Sequence, residues 1–209
     1  MRNFKLAPSL GTTGAAVVLA MVLSGSPALQ AQAPSATAAY IQTYYQKLMP
    51  TLQQAGRLTV RERAKRLGPG ITQTFDFATM TRLAVGPAWK SFSAPQQAAV
   101  REAFAQFVIA DYASQVSDYS GESFVVDPQT SPASRGDGEI VKTRLLQPGG
   151  RTVKIDYLVR GGRVIDVYLN GTISDLATRR DEFASIIASG GADGLLKRLQ
   201  DRTQSLLGR

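Results

Sequence analysis

Asp156 and Asp166 fall in neighbouring segments of β pattern and are the nearest approach in this chain to a pair of catalytic carboxylates. General acid–base chemistry needs two such groups close together, with neighbours that tune one against the other. The usual completing residues are missing. The chain contains no histidine and no cysteine, which removes the commonest general base, the commonest metal ligand and the thiol nucleophile. Both aspartates are therefore expected to pair at the surface with Lys or Arg across the sheet. Arg135-Gly136-Asp137 spells an adhesion tripeptide and Asn170-Gly171-Thr172 a glycosylation acceptor. Matches of three residues arise often by chance, and neither carries an argument. No catalytic residue, metal or cofactor is expected.

The informative chemistry is apolar. From about Ser93 to Tyr119, Val100, Phe104, Phe107, Val108, Tyr112, Val116 and Tyr119 occupy one continuous helical face. Farther on, Val153, Ile155, Tyr157 and Val159 alternate with Lys154, Asp156, Leu158 and Arg160, the period of a strand with one buried face. Val167 and Leu169 continue the pattern in the next segment. A long aromatic helix against a curved sheet can enclose an apolar ligand site. The candidate lining is Phe104, Phe107, Val108, Tyr112, Val116, Tyr119, Val153, Ile155, Tyr157, Val167 and Leu169. Ordinary core packing produces the same pattern, because periodicity reports a buried face whether the space beyond it is filled or hollow.

Several shorter elements must position these residues. Ile41, Tyr45, Leu48 and Leu52 recur on one face of a first helix, flanked by Tyr40 and Tyr44. Thr59 and Glu62 form a capping box for a second helix, strongly basic, which Gly68-Pro69-Gly70 is expected to stop. Phe75, Phe77, Met80, Leu83 and Ala84 predict a third, short helix ending at Gly86-Pro87. Ser93 and Gln96 cap the long aromatic helix. Four strands are expected over Ser123–Asp127, Glu139–Leu146, Arg151–Arg160 and Arg163–Leu169, the last three joined by the turns Gln147-Pro148-Gly149-Gly150 and Gly161-Gly162. Asp127–Gly138 is long and polar, as a mobile loop would be. Two helices close the chain, separated by Gly190-Gly191. Helices, then antiparallel strands, then helices predict one α+β domain over residues 34–209.

Residues 1–33 place that domain. Arg2 and Lys5 precede an apolar run from Ala15 to Leu23 and a small-residue exit, the pattern of a secretory signal peptide whose removal leaves a mature chain beginning between Leu29 and Pro34. The run is about half the ~20 residues of a spanning helix. Without its two basic residues the net charge falls from +8 to +6. A positive body outside the cytoplasm suits anionic membrane surfaces or an acidic partner, and the compartment disfavours nucleic acid. Arg61, Arg63, Lys65 and Arg66, on a helix with a thin apolar face, are the expected docking residues.

Three blocks in order resemble the periplasmic phospholipid-carrier family of the MlaC, or toluene-tolerance, type. They are Gly86, Trp89, Ser93, Gln96-Gln97, Phe104, Phe107 and Tyr112; then Val164–Ile187; then Gly191-Ala192-Asp193-Gly194-Leu195 leading to Leu199. Gly171-Thr172-Ile173-Ser174 and Thr178-Arg179-Arg180 are most similar to the hopanoid-associated branch, HpnM. The resemblance implies a twisted antiparallel or mixed sheet of about four strands wrapped by helices, NTF2-like, with an apolar cavity. It also implies a periplasmic carrier of a phospholipid or hopanoid that exchanges its cargo with inner- and outer-membrane lipid-transport complexes. Two other readings stay open at this point: a cavity enzyme using Asp as base, and a solid-cored adaptor for membrane proteins.

Overall fold

The computed structural model describes residues 33–134 and 136–208. The expected signal peptide thus lies, except for Ala33, outside the described residues. Ser35 accepts a hydrogen bond from the Ala38 N–H and opens α1 (Ala36–Leu52), whose Ile41, Tyr44, Tyr45 and Leu48 are almost wholly buried. A 3-10 turn, Ala55–Arg57, leads to α2 (Val60–Thr74), which begins with the expected Thr59–Glu62 capping box.

Gly68-Pro69-Gly70 does not stop this helix, which continues to Thr74. A proline in a helix interior costs about 3 kcal/mol. Packing offsets that cost here. Gly68 is buried against the Ile109 side chain of α4, and Leu67 and Ile71 beside it are buried too. The next helix, α3 (Phe77–Val85), starts where the Asp76 carboxylate accepts from the Thr79 N–H and ends at Gly86, at φ 69°.

α4 (Ala94–Gln115) carries the aromatic stripe and the expected Ser93–Gln96 capping box. It is shorter than its periodicity predicts. Val116 has left helical geometry at φ −100°, ψ 81°, and the Ser117 carbonyl accepts from the Arg63 guanidinium instead. Val, Ser and Asp in succession have low helix propensity, so a tertiary partner decides the ending. Val116 and Tyr119 therefore lie beyond the helix.

The strands are β1 (Ser123–Val126), β2 (Ser131–Pro132), β3 (Glu139–Leu146), β4 (Thr152–Arg160), β5 (Arg163–Leu169) and β6 (Ile173–Ser174), all antiparallel. Their order is β1-β3-β4-β5-β6, with β2 also paired to β3. The four expected strands are present, and two two-residue strands extend the sheet. Residues Asp127–Gly138, expected to be a free loop, are tied down at several points. The Asp127 N–H donates to Lys142 O, the Thr130 hydroxyl to Glu139, and Pro128 O accepts from the Ser35 N–H.

α5 (Asp175–Leu207) contains the expected break as a single residue, Gly191, at φ 59°, ψ −152°. Only glycine adopts that geometry without strain. The bend lets Phe183 before it and Leu195 and Leu199 after it enter one hydrophobic cluster with α1–α4 and the inner face of the sheet. Among the described residues no helix is long and apolar enough to cross a membrane.

Candidate functional site

The aspartates do not form a site. Asp156 sits in register with Lys142 on β3 and Tyr168 on β5, whereas Asp166 is opposite Leu158. Asp166 is buried and, among the described residues, pairs with no Lys or Arg, contrary to the sequence expectation. Its carboxylate accepts hydrogen bonds from the Ser174 hydroxyl (2.6 Å), the Val167 N–H (2.8 Å) and the Leu176 N–H (3.2 Å). It thereby fastens the middle of β5 to the start of α5. Burial raises its pKa, against the pull of those three bonds. Among the described residues no group of three or more acidic side chains is arranged to hold a metal ion.

The site is a cleft between α4 and the sheet, with a volume of about 160 Å³. Helix α4 supplies Val108 and Tyr112, β4 supplies Ile155 and Tyr157, and β5 supplies Val167 and Leu169. All six belong to the expected lining. The cleft also includes Tyr44 of α1, Ile71 of α2, Phe75 and Met80. Ile71 was hidden by the expectation that α2 ends at Gly70. Tyr44 was hidden because a flanking position on α1 becomes a wall only when the sheet closes over it.

Aromatic contacts hold this wall together. Tyr44 meets Phe75 edge-on at 5.6 Å and Tyr157 at 6.2 Å between ring centroids. Behind them the Tyr45 hydroxyl bridges Thr143 (2.8 Å) and Tyr157 (3.0 Å), and its ring stacks on Phe124 at 4.0 Å. Burial pushes the phenols of Tyr44, Tyr45 and Tyr157 far above their ordinary pKa, and that of Tyr112 up to about 12. These tyrosines stay neutral at physiological pH. The Tyr44 and Tyr112 hydroxyls lie close together.

One side of the cleft is polar and was not legible in the sequence. Arg179 of α5 bonds Asp175 one turn before it (2.7 Å) and Asp111 of α4 (3.0 Å), and all three line the cleft with Gln115. Burial alone would favour neutral arginine, but the two carboxylates outweigh it and hold the charge. The guanidinium also lies 5.0 Å from the Phe107 ring centroid, with Arg202 at 5.5 Å from the same ring. The i, i+4 spacing of Asp175 and Arg179 was the available signal.

The other expected lining residues are placed differently. Phe104 is fully buried in the core, edge-on to Phe77 and Phe183, and borders no described cleft. Phe107 lies beneath the two arginines and borders a separate surface recess. Val153 is half-buried on β4 and lines neither apolar cleft. Val116 and Tyr119 line a second cleft of about 210 Å³, with Leu52, Phe124 and Leu145.

In the basic helix, Arg61, Lys65 and Arg66 are exposed. Arg63 is corrected: only 6% exposed, it donates to the carbonyls of Ala55 (3.0 Å) and Ser117 (3.4 Å). The Ser117 carbonyl is left over where α4 ends, the Ala55 carbonyl accepts from the Leu58 N–H as well, and a long arginine reaches both.

Comparison with known proteins gives a consistent picture. The profile of the MlaC protein family matches residues 42–201. Among solved structures, a phospholipid-binding protein from Ralstonia solanacearum, determined in complex with a phospholipid, superposes with a TM-score of 0.68 at 22% identity, covering 81% of this chain and 98% of that one. No curated protein matches in sequence. The shared fold is therefore an α+β arrangement with a helical majority and an open antiparallel sheet.

Proposed function

The chain belongs to the MlaC family, and we propose that it is a periplasmic carrier that holds the apolar part of a phospholipid or hopanoid and shuttles it between the inner and outer membranes. The observation that carries this reading is the apolar cleft under α4, walled by Tyr44, Val108, Tyr112, Ile155, Tyr157 and Val167. The phospholipid bound to the fold relative from Ralstonia solanacearum supports it.

The energetics suit the task. Each methylene moved into water costs about 0.8 kcal/mol, so a two-chain lipid leaving a bilayer unaided faces a barrier on the order of 20 kcal/mol. A protein that offers apolar walls in place of bilayer lowers that barrier without a catalytic group. Arg61, Lys65 and Arg66 would draw the carrier to anionic leaflets or to the acidic faces of membrane lipid-transport complexes, at roughly 1 kcal/mol per residue. That is weak enough to allow release.

Extraction of the protein from a periplasmic fraction with organic solvent, followed by mass spectrometry, tests the reading. A lipid in near-stoichiometric amount and an amino terminus between Leu29 and Pro34 are expected. Protein free of lipid, or retention of Met1–Leu23 in the membrane fraction, overturns it.

A further inference from the structure

Among the described residues two large hydrophobic side chains stand exposed, and they are neighbours. Leu169 is 45% accessible and Ile173 54%, and the two lie directly opposite each other on β5 and β6. A tight turn joins them, with Asn170 at φ 54°, Gly171 at φ 76° and the Thr172 N–H donating to Leu169 O. Leu169 also pairs with Ile155 of β4 and lines the cleft. The exposed pair therefore carries the apolar wall of the cleft out to the surface.

The other face of the same sheet end is cationic. Side chains alternate along a strand, so Lys154, next to Ile155, points away from the cleft. Its direct cross-strand partner is Arg144 of β3; both are exposed, and so is Arg151 in the turn between their strands. Like charges set opposite one another destabilise a sheet. The exposed contact of Arg144 with Asp127, at 3.4 Å, does little to offset that. The Lys154 carbonyl accepts from the Asn170 N–H, which ties this charge to the apolar hairpin. Folding gains nothing from such crowding, whereas an anionic surface would supply the missing counter-charge.

A bilayer fits both features. A stable protein interface buries about 1,200–2,000 Å², far more than two side chains offer, while an interfacial element needs a modest apolar face flanked by basic residues. Nearby acids do not cancel the charge. Asp175 is paired with Arg179, and Asp118 and Glu122 belong to the segment between α4 and β1. We propose, resting on the carrier reading above, that the β5–β6 hairpin is the membrane-contacting tip of this protein. Leu169 and Ile173 enter the acyl boundary of an anionic leaflet, Arg144, Arg151 and Lys154 meet its headgroups, and the cleft opens at the bilayer surface. The cations of α2 attract from a distance and insert nothing.

The absence of cysteine allows a single label to be placed. Ile173→Cys, at a position lining neither apolar cleft, and Thr72→Cys, exposed on α2, each receive an environment-sensitive NBD fluorophore. The mature chain is mixed with vesicles of phosphatidylcholine, with or without phosphatidylglycerol. Emission from the label at Ile173→Cys should shift to the blue with the anionic vesicles, and emission from Thr72→Cys should not move. In co-sedimentation at low salt, Arg144→Gln with Lys154→Gln should weaken anionic-vesicle binding by about fivefold per charge, with a melting midpoint that holds or rises because the like-charge pair is relieved. Ile173→Ser should weaken it by about tenfold and keep its salt dependence. A shift at Thr72→Cys with none at Ile173→Cys overturns the proposal, as does unchanged binding in both the charge variant and Ile173→Ser. Lipid content separates this result from the carrier reading. Lipid-loaded protein whose label at Ile173→Cys never responds refutes the tip alone. Protein that inserts the hairpin but never carries lipid supports the tip and refutes carriage.

Discussion

Replacing Phe104 with alanine separates packed core from ligand cleft along a single helix. The ring is 0% exposed, lies edge-on to Phe77 at 6.3 Å and to Phe183 at 6.1 Å, and has the Arg179 guanidinium 6.0 Å away. Transfer of a buried phenylalanine side chain contributes about 1.5–3 kcal/mol, and the void left behind raises the cost of Phe→Ala to about 3–5 kcal/mol. Two T-shaped contacts at about 0.5–1.5 kcal/mol each place Phe104 in the upper half of that range, near 4–5 kcal/mol. One kcal/mol shifts the melting midpoint of a domain this size by about 2–4 °C, so the expected fall is roughly 8–20 °C. Val108 lies one turn along the same helix, half-buried in the cleft wall. Two half-exposed methyl groups contribute only about 0.8 kcal/mol. Urea unfolding of delipidated protein, followed by circular dichroism at constant m-value, measures both variants, and mass spectrometry measures their lipid content. Phe104→Ala should lose stability and keep its lipid, whereas Val108→Ala should do the reverse. A loss below about 2 kcal/mol for Phe104→Ala, together with depleted lipid, would show that this ring borders a cavity and refute the placement.

Burial raises the carboxyl pKa of both Asp166 and Asp156. The folded chain then holds these protons more tightly than the unfolded one, so stability should fall as pH rises from about 3.9 through the raised values. Asp166→Asn should flatten that slope in urea midpoints taken between about pH 4 and pH 7. Glu62, held low by its bonds to Thr59, acts with the opposite sign on the acid side. Arg63→Ala takes the donor from the Ser117 carbonyl, leaves the Ala55 carbonyl its bond from the Leu58 N–H and should cost about 1–3 kcal/mol, while the exposed double reversal Arg61→Glu with Lys65→Glu should stay within about 1 kcal/mol yet weaken binding to anionic liposomes. Unchanged liposome binding at low salt would remove this helix as a docking surface. Gly191→Ala should destabilise by about 1–3 kcal/mol through backbone strain, and Gly190→Ala, helical and with open space around it, should stabilise by about 0.5–1 kcal/mol. Thermal melts of the pair compare the two effects directly.

Local chemistry made much of this architecture readable. The Thr59–Glu62 and Ser93–Gln96 capping boxes, the glycine turns after Leu146 and Arg160, and the alternation through Val153–Arg160 each depend on residues within a few positions of one another. Their elements fall where the spacing places them. The Gly191 bend was likewise announced by its own residue type. Helix ends were less legible, because distant partners set them. Burial of Leu67, Gly68 and Ile71 accompanies the continuation of α2 through Pro69, and Arg63 takes the Ser117 carbonyl where α4 ends.

The same distinction runs through the site. Composition alone, without histidine or cysteine, directed attention from catalysis to an apolar face, and periodicity named Val108, Tyr112, Ile155, Tyr157, Val167 and Leu169, which the fold brings together. Periodicity could not separate them from Phe104, on the same stripe of α4 but packed solid against Phe77 and Phe183. Nor could it reveal Arg179 held between Asp111 and Asp175, or Tyr112 lining two clefts. A helical stripe records which side of an element is withdrawn from water. Whether the space facing it is filled depends on the sizes and angles of side chains from other helices and strands, and those meet only when the whole chain has folded.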